Sequence, residues 1–376
     1  MAADTWTTAM WPDGSVKWLG VAGVTGSMAT MQRPVVDANT ITIDNGKLKL
    51  YVARHGRNLI DSLIMDGKKI CDGAHLVATT TNATYASVVD SAVVERAGSS
   101  RALIKICGTM SDGSRRWLPF TLRLYAYAAN EQLRMVHSFI YDGDQDKDFI
   151  SSLGLTFDVP LRKEAYNRHV MFAMDGGKMW HEPVQPLDGR SPLDRNYNWQ
   201  ERQQAGFEIP AANTFDERQQ TFLSEWASWD GFRLSQLNDG SFTIRKKAQS
   251  DRPWIGTFTG HRSNGLAFVG DTEGGLALSL KDFWQQYPST LQISDARADK
   301  AQLTVYLWSP ESEPMDLRHY DTVAHGLISS YEDEYPLWHC SHQRSHLCTF
   351  RLVAFRAVAV FVGRSSCPES SSASYS

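Results

Sequence analysis

Cysteine is scarce and odd in number: five in 376 residues, at Cys71, Cys107, Cys340, Cys348 and Cys367. With three of them in the last forty positions, a disulfide framework is excluded as the basis of the fold. Excess charge is lacking too. Lys plus Arg number 38 and Asp plus Glu 42, a formal charge of −4, so neither nucleic acid nor an anionic membrane surface is expected as partner. No apolar stretch reaches the roughly 20 residues of a membrane-spanning helix. The longest, 350–362, is broken by Arg351 and Arg356. The first residues, MAADTW, have no basic start and no apolar run, so no signal peptide is read there. If this N-terminus is genuine, the chain is expected inside the cell. No long helical period precedes residue 315, and no fixed-period repeat is visible.

What is present is a globular, aromatic-rich composition, 42% hydrophobic with 12 Trp, 13 Tyr and 16 Phe, enough for a large core and two or three domains. Residues 40–52 form two alternating runs joined at Asn45-Gly46, a type I′ hairpin signal. Further hairpins are expected at 97–100 and at 238–240. More alternating runs cover 121–125, 133–140, 265–269, 276–280 and 302–307. Closely spaced strands with turn residues between them predict a large antiparallel β-sandwich. Residues 174–216, rich in Pro, Asp, Asn, Arg and Gln, read as a long excursion over the sheet, the kind of segment that often carries function.

Near the start, WPDGSVKW (11–18) combines a Pro-Asp-Gly turn with an alternating strand, a hairpin with two aromatic anchors. Together with ITIDNGKLKLYVARHG (41–56), HSFIYDGDQDKDFISSLGLTFDVPL (137–161), GGLALSLKDFWQQYP (274–288) and YLWSPESEPMDLRHYDTVAHGLISSYED (306–333), it resembles the rhamnogalacturonan exolyases of fungi and their bacterial relatives, polysaccharide lyase family twenty-six. The resemblance covers roughly residues 9–333. It implies a small β-barrel, then a β-sandwich, then a helical toroid carrying much of the active cleft, with β-elimination of the rhamnose–galacturonate backbone of pectin as the reaction. It also implies an acidic plant polysaccharide or oligosaccharide as partner and an extracellular setting.

The expected organisation is therefore mainly β: a partial N-terminal β-barrel over 1–38, a central sandwich over 39–314, and the start of a helical toroid over 315–333. After Asp333 the composition changes abruptly, and 334–376 is expected to be an aberrant or disordered tail. A neighbouring reading frame of the codons for 337–344 can encode Phe-Gly-Ile-Ala-Arg-Thr-Ser, close to what the resemblance leads one to expect there, so a frameshift or retained intron is the proposed origin. His339, Cys340, His342, His346 and Cys348 have zinc-ligand chemistry, but not the spacing of a finger, and no metal site is assigned to them. On this reading the chain alone has little or no activity.

β-Elimination beside a uronate needs a cation or donors on the carboxylate, a base for the adjacent proton and an acid for the leaving oxygen. Arg318, His319, Tyr320 and His325 form the densest cluster of suitable side chains and are the catalytic candidates. If that segment starts a helix, Asp321 and His325 share a face and can simply pair. Trp284 and Tyr287, with Trp180, Glu182 and Trp199 of the excursion, are the carbohydrate-binding candidates, set against the commoner role of aromatics as core. No cofactor is assigned. The run Asp142–Asp148 places carboxylates at alternate positions as a Ca²⁺ loop would, but Lys147 and Leu153 stand where an EF-hand needs Gly and Glu, so a solvated turn is preferred. His137 and His169 are expected to be hydrogen-bonded structural histidines. Two other function classes remain open: a non-catalytic carbohydrate-binding module, and another sandwich-bearing uronate lyase or glycoside hydrolase, the latter needing two carboxylates such as Glu182 and Asp282.

Overall fold

The computed structural model describes residues 30–144, 146–187 and 198–315, and the strands at 6–10, 16–20 and 344–355. Trp6–Met10 and Val16–Gly20 pair antiparallel, with Met10 opposite Val16. This is the hairpin read around WPDGSVKW; its turn residues lie outside the described ones.

The rest of the described chain is mainly β and antiparallel. One half of the sandwich runs, in spatial order, through Met179–Pro183, Arg168–Ala173, Leu266–Asp271, Gly274–Leu280, Arg344–Phe355, Gln132–Tyr141, Arg116–Tyr127, Arg101–Ser111 and Thr84–Ala97. The other half runs through Ala74–Thr80, Ile150–Pro160, Lys300–Trp308, Ser289–Ser294, Gly231–Gln236, Phe242–Lys247 and Ile255–Gly260. The halves are joined where Thr84–Ala97 pairs with Ala74–Thr80. A small meander, Thr40–Asp44, Leu48–Ala53 and Ile60–Met65, attaches through Ile60 opposite Ala74.

Strict alternation explains the layering. In Arg101–Ser111, Ala102, Ile104 and Ile106 are buried while Lys105 and Cys107 are partly open to solvent. Each such large apolar side chain removed from water contributes roughly 1.5–3 kcal/mol. The halves meet through these inner faces: the Trp180 ring lies 6.1 Å from that of Phe232 on the opposite half. Tight packing sets local demands as well. A Cβ on Gly265 (φ +68°) would come within 2.1 Å of Phe283 Cβ, so glycine lets the fully buried Phe283 ring press onto the sheet.

Several expectations change in detail. The hairpin at Asn45-Gly46 forms, but only Gly46 has positive φ. The turn is not the type I′ that was read, because the Asn45 side chain is buried and donates to the carbonyls of Tyr127 (2.9 Å) and Asn130 (2.8 Å). The excursion carries a short helix, Trp199–Gln204, and a second, Glu217–Glu225, follows directly after the excursion. The second opens on a capping box, with Gln219 N–H donating to Asp216 (2.8 Å) and Asp216 N–H to Gln219 (3.1 Å). From the segment expected to be an aberrant or disordered tail, Arg344–Phe355 inserts as a strand between Gln132–Tyr141 and Gly274–Leu280.

Candidate functional site: a polar lane across one sheet face

On the second half of the sandwich, alternation sends Leu291, Ile293, Leu303, Val305, Leu234 and Ile244 into the core. The intervening positions lie on the opposite face and are polar; His75, Thr156 and Thr304 are buried there, and Gln292, Arg233 and Arg245 are half-buried. His75, Thr156, Thr304, Gln292, Arg233 and Arg245 are successive cross-strand partners over six strands. At about 4.8 Å per strand they make a lane about 24 Å long. A second row on the same face holds Gly154, Tyr306, Thr290, Ser235 and Thr243, of which Gly154, Thr290 and Ser235 are buried.

One end of the lane carries two guanidiniums that share a carboxylate. Arg233 lies 3.1 Å from Glu311 Oε1, and Arg245 donates to both Glu311 oxygens. Ser235 also donates to Glu311. Arg233 Nε donates to Gln292 at 2.9 Å, and its guanidinium stacks 4.4 Å from the Trp254 ring centre. Lys247 approaches the same ring at 4.9 Å. Arg245 Nε–H is buried with no acceptor among the described residues. Burial pushes the Glu311 carboxyl up, but the Ser235 hydrogen bond and the charges of Arg233 and Arg245 outweigh it and hold it below the usual range. Glu311 is thus ionised among a local excess of cations.

At the other end, Arg57 donates to His75 Nε2 at 2.8 Å. An arginine cannot accept, so His75 uses Nε2 as acceptor and carries its proton on Nδ1. Burial, helped by the Arg57 charge, pushes His75 down to about 4, which keeps it neutral at pH 7. The fully buried Ser87 hydroxyl holds this corner, donating to Arg57 O (2.7 Å) and accepting from Leu76 N–H (3.0 Å). The lane therefore offers guanidiniums for carboxylates, a neutral imidazole, and the rings of Trp254 and Tyr306 for the apolar side of a sugar.

The chain matches the PcRGLX-like N-terminal RIFT barrel domain over residues 1–38 and the PcRGLX-like protein central beta sandwich domain over residues 35–343. The chain belongs to the PcRGLX-like family. It is 32% identical to the uncharacterized protein YetA of Bacillus subtilis (strain 168), covering 86% of this chain and 41% of YetA. The chain thus spans about two fifths of that curated relative. Among solved structures it aligns with a galactose mutarotase-like protein from Lactobacillus casei (12% identity, 84% of this chain and 99% of that one, TM-score 0.37). It also aligns with an alpha-mannosidase from Enterococcus faecalis V583 (9% identity, 86% and 30%, TM-score 0.42). Overlaps at these scores carry no argument about this chain.

The PcRGLX-like sandwich match takes in the whole lane, none of which the sequence reading singled out. Arg318, His319, Tyr320 and His325 lie outside the described residues. Trp180 stacks on Phe172 at 5.8 Å along the inner edge of the sandwich. Glu182 forms an ion pair with Lys246 across the two halves, and Lys246 in turn sits 3.9 Å over the Trp229 ring. Asp282, the other carboxylate considered for hydrolysis, stands outside the sandwich beside Lys281 at 3.3 Å. Trp199 packs edge-on to Phe215 in the small core of the excursion. Trp284 lies under the Arg262 guanidinium at 4.2 Å. Tyr287 is 48% exposed, and the following Pro288 carbonyl accepts from Ser309 N–H at 3.0 Å, which sets the tyrosine beside the Glu311 segment.

His169 is buried and bonded to His181 (Nδ1 to Nε2, 2.8 Å), the structural kind of contact expected of it. In the acidic run, Asp148 takes two bonds from Arg115 (2.6 and 2.7 Å), Asp144 pairs with Lys147 (2.7 Å) and Asp142 accepts from Leu118 N–H (2.7 Å). Those carboxylates are engaged by the protein's own cations and amides. Among the described residues, no group of three or more His, Cys, Asp or Glu is placed to hold a metal, and no helix is long and apolar enough to cross a membrane.

Proposed function

We propose that this chain is the glycan-gripping part of a pectin-backbone lyase, whose sandwich holds a uronate-bearing rhamnose–galacturonate chain along the polar lane. The observation that carries this reading is the pair of half-buried guanidiniums, Arg233 and Arg245, converging on one carboxylate on the sheet face turned away from the core. That is the geometry in which a sugar carboxylate is recognised and its charge neutralised. The resemblance of the sequence to rhamnogalacturonan exolyases supports the same substrate class. β-Elimination would then use Arg318, His319, Tyr320 and His325, which follow Glu311 by seven to fourteen residues, with Trp284 and Tyr287 flanking the sugar. In this reading the protein acts outside the cell, and the chain alone binds the polymer while turning it over weakly or not at all.

Calorimetry with a rhamnogalacturonan oligosaccharide tests the reading. Wild type should bind, and Arg245→Ala should weaken binding by about tenfold, the loss of one charge-assisted hydrogen-bonded contact. Equal affinity in the two proteins refutes it. The ultraviolet absorbance of unsaturated uronate, followed in the same mixtures, separates the lyase from a purely binding module.

A further inference from the structure

We propose that the outward face of the other sheet is a second binding surface, one for an extended acidic polysaccharide chain. This rests on the reading above that the protein handles acidic glycans, but it concerns different residues.

In Arg101–Ser111 and Arg116–Tyr127, alternation that buries Ile104, Ile106, Leu122 and Leu124 turns Arg101, Lys105, Arg123 and Tyr125 outward. The cross-strand register sets Arg96, Leu103, Tyr125 and Arg134 side by side on four strands. The Tyr125 ring is approached by Arg101 (5.9 Å) and Arg134 (5.3 Å). An open depression of about 540 Å³ is lined by Glu95, Arg96, Arg101, Leu103 and Tyr125. Glu95 is engaged by Arg123 at 3.0 and 3.2 Å. Even counting Glu131 of the adjoining turn, the five cations Arg96, Arg101, Lys105, Arg123 and Arg134 exceed the carboxylates here, on a chain whose formal charge is −4.

The chemistry of the ligand follows from this layout. Guanidiniums pair in a planar, two-bonded way with carboxylates, and a tyrosine face flanked by cations suits the apolar side of a sugar ring. The cations are spread over strands about 4.8 Å apart. A single uronate meets one of them; an extended polymer bearing carboxylates at intervals meets several. The surface therefore holds the polymer while the lane on the other face engages a short stretch of it, so that effective concentration strengthens the second contact.

The test compares long polygalacturonate, by affinity electrophoresis, with trigalacturonate, by calorimetry. The proteins are wild type, the pair Arg101→Glu with Arg134→Glu, the conservative pair Arg101→Lys with Arg134→Lys, and the lane variant Arg245→Ala, each checked for fold by circular dichroism. The charge-reversed pair should lose about tenfold in polymer affinity and keep trigalacturonate binding within about twofold. The lysine pair should lose less. Unchanged polymer affinity in the charge-reversed pair overturns the proposal. So does an equal loss on dextran sulfate, which marks a plain ion exchanger. Loss confined to Arg245→Ala leaves the lane reading standing and removes this one. Loss confined to the Arg101 and Arg134 variants does the reverse.

Discussion

Glu182 and Lys246 form an ion pair between the two halves of the sandwich, with both side chains about 15% exposed (16% and 15%). Burial pushes the Glu182 carboxyl up and outweighs the pull of Lys246, so desolvation takes back much of what the pair's attraction contributes. Removing one member should be worse than removing both. Glu182→Ala is expected to cost about 3 kcal/mol, the low end for a buried charge left alone. The double change Glu182→Leu with Lys246→Leu should recover most of it. Urea unfolding decides; a double variant no more stable than the single one refutes the argument.

Much of this architecture was legible from period-two alternation. Arg101–Ser111, Arg116–Tyr127 and Lys300–Trp308 all follow runs whose apolar positions name their inner face, and Asn238 marks its turn by accepting from Gly240 and Ser241 N–H. The lane was not legible. Arg233 and Gln292 are 59 residues apart, and no local pattern reveals the register that makes them neighbours. Charges on the face opposite a strand's well-formed apolar one, as at Arg233 and Arg245, were the available signal. The same limit applies to Asn45, which reads as a type I′ turn residue although its side chain is held by carbonyls 82 and 85 positions away. The helix Glu217–Glu225 is a different case, since Asp216 and Gln219 spell its capping box in the sequence itself.

Stability should fall on mild acidification. Burial lowers His75 to about 4, His169 to about 3 and His181 to about 4, against roughly 6.5 in an unfolded chain. Between these values the unfolded state binds more protons than the folded one, so stability rises with pH across that window and is lost as pH falls through it. Asp148, held low by its hydrogen bonds from Arg115, extends the loss to still lower pH as it is protonated. The urea midpoint is expected to drop steadily from pH 7 to pH 4.5. His75→Gln, which keeps an acceptor for Arg57 without the titration, should make that slope shallower. A midpoint flat over this range contradicts the assignment of neutral, buried imidazoles.

Glu311 occupies the position between Arg233 and Arg245 that a sugar carboxylate would need, so its removal should separate binding from stability. Glu311→Ala withdraws the charge and empties the position. Two guanidiniums, one of them with an Nε–H already lacking an acceptor, are then left under-satisfied, at a cost of about 1–3 kcal/mol to the fold. The same vacancy favours an incoming carboxylate. Part of the charge-assisted bond energy, on the order of 1 kcal/mol, becomes available to the ligand, and affinity for a galacturonate oligosaccharide should rise by about fivefold. Calorimetry and thermal unfolding on one preparation read both effects together. Lower stability with higher affinity is the expected pair. Lower affinity would instead make Glu311 a partner of the sugar hydroxyls, with the carboxylate bound elsewhere along the lane, toward Arg57 and His75.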